Sequence, residues 1–201
     1  MSTRALNRLL KDIRGCTLCR DAPAGKPLPH EPRPVLRASA KAKLCIAGQA
    51  PGTRVHASGK PFDDPSGERL RAWMGIGPDI FYDESRVAIA PMGFCFPGLD
   101  DKGSDLPPRK ECAPQWREDL FDALPQLELI LLVGQYAQKW HLGKNRKKTL
   151  TDTVQAWRDY GPAFLPVPHP SWRNTGWLKR NPWFEREIVP HLQAEVARLT
   201  R

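Results

Sequence analysis

Three stretches of this chain hold residues whose types and spacing suit chemistry. The first is Gly48-Gln-Ala-Pro-Gly52, directly after the apolar run Leu44–Ala47. Two glycines and a proline make a rigid turn, so a ligand can approach the backbone of Gly48, Gln49, Ala50, Pro51 and Gly52 closely. A plain connector has the same composition. The second is Gly59-Lys-Pro-Phe-Asp-Asp-Pro-Ser-Gly67. Phe62, a large apolar ring among turn formers, either plugs the core or stacks on a flat ligand. Ser66 is expected to cap a helix that starts near Gly67. Asp63 and Asp64 either favour that helix N-terminus by charge or hold and activate a water. The third is Pro168-His-Pro-Ser-Trp-Arg173. Its prolines fix the backbone direction of His169, which is either a structural loop histidine or a donor to a developing anion. Ser171 and Arg173 follow, and Arg173, Asn174, Lys179, Arg180 and Asn181 are interleaved with Trp172, Trp177 and Trp183. That mixture suits phosphates and unstacked bases, or a solvated basic face over core tryptophans.

These stretches need elements to position them. Leu6, Leu9, Leu10 and Ile13 recur at helical spacing and predict an amphipathic helix over 3–14. Residues 21–40 hold five prolines and read as an extended crossing segment. Four short apolar runs then read as strands: 44–47, 86–90, 127–133 and 163–167. Helical stretches lie between and after them, at 67–74, 116–124, 135–142 and 150–157, and a last one at 183–199 is expected to kink at Pro190. Short buried strands alternating with helices predict an α/β fold with helices on both faces of a parallel sheet. In such sheets ligands bind beyond the carboxyl ends of the strands. Gly48–Gly52, Pro91–Gly98 and His169–Arg173 follow three of those ends, so they are expected to face one crevice.

Composition bounds the reading. At 201 residues the chain has the size of one domain, expected over 1–201, and it can bury an ordinary core. It has 31 basic and 22 acidic residues, a formal net charge of +9, which suggests a polyanionic partner. The 21 prolines exclude an all-helical bundle. No apolar run approaches the ~20 residues of a membrane span, and residues 1–14 lack a signal-peptide core. A cytoplasmic, nucleoid-associated monomer without a membrane partner is therefore expected. The five cysteines read as thiols or metal ligands before disulfides.

The order Gly-x-Ala-Pro-Gly, Gly-x-Pro-Phe, His-Pro-Ser, together with Arg180-Asn-Pro182, resembles the uracil-DNA glycosylase superfamily from about Cys16 to Pro182. The branch it is most similar to is the iron–sulfur type, family 4. The resemblance implies a three-layer α/β/α sandwich around a mainly parallel four-stranded sheet. It also implies an enzyme that flips uracil out of DNA and hydrolyses its N-glycosidic bond, the first step of base excision repair. Phe62 would stack on the flipped base, and His169 would bind uracil O2 as negative charge collects there. Residues 172–175 would fill the hole in the duplex. The cysteine spacing is similar too: Cys16-x2-Cys19, then sixteen residues between Cys95 and Cys112. Four thiolates suit a [4Fe–4S] cluster; zinc, or no metal and four unrelated thiols, are the alternatives. Cys45, inside a strand, reads as a core residue.

Two departures qualify the resemblance. The family 4 turn has a water-activating Glu where this chain has Gln49, and a neutral amide cannot accept that proton. Asp64, in Asp-Pro-Ser-Gly67, is the expected substitute, by similarity to an Asp-x-Ser-Gly stretch in another branch. The asparagine that reads the uracil edge has its place at Pro91, where no amide stands. Uracil is then expected to be read by His169, by Gln49 and by backbone groups of Gln49 and residues 91–94. A non-catalytic binder of uracil or damaged DNA, a glycosylase for hypoxanthine or xanthine, and a metal-stabilised nucleic-acid-binding module remain open at this stage.

Overall fold

A computed structural model of the chain describes residues 3–201. The elements run α1 (Thr3–Arg14), α2 (Leu18–Asp21), β1 (Leu44–Ala47), α3 (Thr53–Ser58), α4 (Pro65–Met74), α5 (Pro78–Phe81) and β2 (Val87–Ile89). They continue with α6 (Cys112–Asp122), β3 (Leu129–Val133), α7 (Gln135–Leu142), α8 (Leu150–Gln155), β4 (Phe164–Val167), α9 (Thr175–Arg180) and α10 (Val189–Leu199). The strands form one all-parallel sheet in the order β2-β1-β3-β4. Every expected strand is present and within two residues of its predicted limits.

Period-two alternation in the strands explains the layering. Leu44 and Ile46, Val87 and Ile89, and Leu129, Leu131 and Val133 face α4 and α10 through Leu70, Trp73, Leu192 and Val196. The alternate residues Cys45 and Ala88 face α1 and α6, through Leu6, Leu10, Ile13 and Leu120. Ala47 and Leu132 join Ala137 and Leu142 of α7 on that same side. Cys45 is thus a core residue, as its strand position predicts. Among the described residues no helix is long and apolar enough to cross a membrane.

Helix starts differ from expectation at α4 and at α6, which begins at Cys112 rather than at 116. Helix α4 starts at Pro65, and its N-cap is Asp64 rather than Ser66: the Asp64 carboxylate accepts the Gly67 N–H at 2.9 Å. Proline is pre-organised for the first helical position, and Ser66 instead donates its hydroxyl to Asp64 at 2.5 Å. The last helical stretch is present over 183–199 as expected: Phe184–Ile188 is wound as a wider π turn that runs into α10, and Pro190 follows it in the first turn of α10 with helical backbone on both sides.

One buried charge organises the carboxyl end of β2. Arg117 of α6 is 2% exposed. It donates to the carbonyls of Ala90 and Pro91 at 3.1 and 3.0 Å and to His141 Nε2 at 3.0 Å. Burial lowers its pKa to about 10, and burial with the Arg117 charge pushes His141 down to about 3. His141 is therefore a neutral acceptor. An unpaired guanidinium is costly to bury, and three acceptors meet that cost while fixing Pro91.

Gly67 is required by close approach. A Cβ there would overlap the Phe62 carbonyl oxygen, a backbone atom that no rotamer change can move aside. Gly67→Ala should destabilise the protein by about 1–3 kcal/mol, the usual cost of overpacking. The check is the urea midpoint against Ser66→Ala, which removes one hydroxyl and adds no atom.

Candidate functional site

The carboxyl ends of the strands open on one pocket, with about 70 Å³ accessible to the centre of a water molecule. Gly48, Gln49, Ala50, Pro51 and Gly52 line it after β1, Pro91 after β2 and His169 after β4. Phe62, Asp64 and Ser66 close another side. The turn, Pro91 and His169 therefore share one cavity, as expected of segments that follow strand ends in a parallel sheet, and Phe62, from the segment between α3 and α4, joins them. Asp105 completes the wall and was not singled out in the sequence.

Phe62 is held in an unusual backbone state. Its φ is +55°, the only positive value at a non-glycine among the described residues. That region costs an L-residue roughly 1–2 kcal/mol, and such strain concentrates at functional sites. The Phe62 carbonyl accepts Tyr82 Oη at 3.3 Å, and Arg71 in turn donates to Tyr82 Oη at 3.3 Å. The ring lies over the turn: a Cβ at Gly48 would be 3.3 Å from Phe62 Cζ. On its other side it meets Phe81 edge-on at 6.0 Å. Phe62 is half-buried and forms part of the pocket wall.

His169 is held from behind. The Ser171 backbone N–H donates to its Nδ1 at 3.2 Å, and Asn174 Nδ2 donates to its carbonyl at 2.7 Å. A backbone amide can only donate, so Nδ1 is an acceptor and a neutral ring carries its proton on Nε2. Burial lowers the His169 pKa, with the Asp64 charge opposing. The ring is thus a neutral Nε2–H donor near pH 7.

Ser171 and Arg173 do not line the pocket. The Ser171 N–H orients His169, its carbonyl accepts Arg69 Nη1 at 3.0 Å, and its hydroxyl accepts the Arg173 N–H at 3.3 Å. Arg173 lies exposed, its guanidinium 5.7 Å from the Trp172 ring centre. Trp172 is 72% exposed, and Leu99 and Leu106 are exposed beside the Asp105 segment.

The loop after β2 is unavailable for reading a base by its amides. Pro91 has no N–H. The N–H groups of Met92 and Gly93 donate to the carbonyls of Gly48 and Gln49 at 2.9 and 3.0 Å, and that of Phe94 to Cys112 Sγ at 3.3 Å. The expected backbone contacts of residues 91–94 are thereby narrowed to carbonyl oxygens, with Pro91 in the pocket wall. The amides of Met92 and Gly93 hold the turn in place.

Asp64 has two duties. One carboxylate oxygen caps α4 and accepts Ser66; the group as a whole also borders the pocket and interacts with His169 by charge. Asp63 does not line the pocket.

Cys16, Cys19, Cys95 and Cys112 converge on a second, apolar cavity, with Ile13, Phe94 and Trp116 in its walls. Trp116 Nε1–H donates to Cys16 Sγ at 3.3 Å, so two of the four sulfurs receive an N–H. Among the described residues no three His, Cys, Asp or Glu side chains are gathered tightly enough to hold a metal ion.

The fold and pocket together define an α/β protein with a small pocket at the carboxyl edge of a parallel sheet. The family model for the uracil DNA glycosylase superfamily matches residues 37–193, and the chain belongs to that superfamily. Two solved structures are similar at low identity. One is the solution NMR structure of a candidate uracil DNA glycosylase from Methanosarcina acetivorans, with TM-score 0.47, 13% identity, 79% of this chain covered and 98% of the other. The second is the crystal structure of wild-type SMUG2 from Pedobacter heparinus, with TM-score 0.41, 12% identity, 77% of this chain covered and 76% of the other.

The His169 assignment has a direct check. Long-range ¹H–¹⁵N spectra of histidine-labelled protein should show the Nε2–H tautomer, titrating below the ordinary value of 6.5. A ring that is charged at pH 7, or protonated on Nδ1, would contradict it.

Proposed function

We propose that this protein is a monofunctional DNA glycosylase that excises uracil from DNA. The observation that carries the reading is the neutral His169, tied at Nδ1 by the Ser171 amide inside a pocket walled by Phe62 and the Gly48–Gly52 turn. Cleavage of the C1′–N1 bond sends its electron pair into the base, and negative charge gathers on O2. A fixed Nε2–H donor stabilises that charge without needing to give up its proton, and one such donor is worth on the order of 10²–10³ in rate. The Asp64 carboxylate offsets the positive charge left on the sugar. Water then captures C1′, leaving an abasic site and free uracil.

Phe62 supplies the stacking face for the extruded base. Gln49, whose amide both donates and accepts, is the remaining side chain able to read the base edge now that residues 92–94 are engaged. Trp172, Leu99 and Leu106 form an exposed apolar rim, of the kind that wedges between base steps. Flipping costs a few kcal/mol, and the basic surface offsets part of it through phosphate contacts.

The cofactor is part of the proposal. Cys16, Cys19, Cys95 and Cys112 would hold a [4Fe–4S] cluster. The donor set fits: four thiols on one apolar cavity, with N–H groups directed at two of the sulfurs, as is usual around such clusters. When bound, the cluster supplies a structural cross-link. The residues themselves would then tie α1, α2, the loop after β2 and the start of α6 together. Zinc on the same four thiolates is the alternative.

Two outcomes are expected. Anaerobically purified protein should release uracil from single- or double-stranded DNA in single turnover, and His169→Ala should slow release by about 10²–10³-fold. Asp64→Asn keeps a good N-cap, so its rate loss should come without a large drop in Tm. Uracil-dependent retention with no abasic product would instead assign a lesion-binding protein, and release of hypoxanthine or xanthine alone would reassign the base. The second outcome concerns the cofactor. The protein as isolated should contain iron and acid-labile sulfide, four of each per chain for one [4Fe–4S] cluster, with a broad visible absorption. Cys112→Ala should lose both and melt earlier; a colourless, equally stable wild type without iron would rule the cluster out.

A further inference from the structure

The pocket contains a second carboxylate that the reading so far leaves unused. Asp105 lies on the hairpin formed by Leu99 and Asp105, which pair as an antiparallel bridge. The hairpin is rigid for its size: Asp100 Oδ1 accepts the N–H groups of Lys102 and Ser104 at 2.9 and 2.8 Å, and the Leu106 N–H returns to the Gly98 carbonyl at 2.9 Å. It carries the Asp105 carboxylate over the first turn, where Oδ2 would be 3.3 Å from a Cβ at Gly52. Glycine at 52 leaves room for that carboxylate.

The two carboxylates of the pocket are not equivalent. Asp64 already accepts an amide and a hydroxyl. Asp105 accepts no hydrogen bond among the described residues, so its lone pairs are open to a water. Gln49 connects this arrangement to the altered turn. Its Nε2 donates to the Leu106 carbonyl, a long bond at 3.5 Å, one residue from Asp105. A glutamate at 49 could not make that donation when ionised.

Resting on the glycosylase reading, we infer that Asp105 is the carboxylate that orients and deprotonates the attacking water, and that Gln49 is a positioning residue for the hairpin that carries it. The C1′–N1 bond breaks with its electron pair leaving on uracil. The water oxygen forms the new bond to C1′, and its proton passes to Asp105 and then to solvent. Uracil, released as an anion, takes a proton from solvent, so the sum is hydrolysis.

The surroundings suit that task. The charges acting on Asp105 are Arg173, from the loop after β4, and Asp64, at the start of α4; His169, in the same pocket, is neutral. Burial raises the Asp105 pKa, Arg173 lowers it and Asp64 raises it. A base must be ionised to act. Activity should therefore fall as pH drops through the Asp105 pKa, at a higher pH than for an ordinary carboxylate.

The test is single-turnover uracil release over a range of pH, using the whole protein as purified. Wild type, Asp105→Asn, Asp64→Asn, Gln49→Glu and the double variant Asp105→Asn with Gln49→Glu are compared, with Tm as the folding control. Asp105→Asn should lower the rate on the order of 10²-fold, flatten the acid limb and leave Tm nearly unchanged. The double variant returns a carboxylate to the turn and should recover at least ten-fold over Asp105→Asn alone. Asp105→Asn within two-fold of wild type, or a loss with the acid limb intact and no rescue, would overturn the inference and leave the glycosylase standing. No release by wild type would overturn the glycosylase reading itself.

Discussion

A single carboxylate oxygen closes the first turn of α4, and the pocket depends on it. Asp64 accepts the Gly67 amide and the Ser66 hydroxyl. That fixes the chain just before the helix, where the Phe62 carbonyl presses so closely on Gly67 that no side chain fits there. Phe62 is thereby kept in a left-handed conformation it would not choose, with its ring across Gly48. The cap thus maintains local strain, and the strain sets the direction of the aromatic wall. Because the same carboxylate borders the pocket, its structural and electrostatic duties share one group.

The electrostatics divide along the same lines. His169 is buried enough to stay neutral and is oriented by a backbone amide, which has no charge to lose. The two carboxylates sit in unlike settings, one committed to a helix end and the other open. Arg117 is the buried cation on the far side of the Pro91 wall, and it is matched with carbonyls and a neutral imidazole rather than with an acid. Those neutral acceptors satisfy its N–H donors and leave its net positive charge in place behind Pro91.

Much of this was legible from residue order. Strands of three to five residues were found because each is a continuous apolar run ended by glycine or proline. Parallel topology then places the first turn, the start of the loop after β2 and His169 at one edge. Single-turn helices such as α2, α3, α5 and α9 were missed, since four to six residues show no periodicity. Side-chain preference alone points to Ser66 as the cap; the proline at 65, which favours the first helical position, points to Asp64. Asp105 could not be found at all. Gly-Ser-Asp-Leu-Pro is ordinary loop composition, and only the hairpin's return to Gly98 brings that carboxylate to the pocket. The loop after β2 is only partly legible for a related reason, because sequence does not reveal that its amides are consumed by Gly48, Gln49 and Cys112.

Helix α6 begins at Cys112, in the wall of the thiol cavity, and about one and a half turns later presents Arg117 to the carbonyls behind Pro91. It is a strut with one foot among the cysteines and the other against the wall of the pocket. The width of the pocket on that side is then a property of how firmly the cysteine end is anchored. A disturbance at the sulfurs has only a short, stiff lever to travel before it changes the room available to a base.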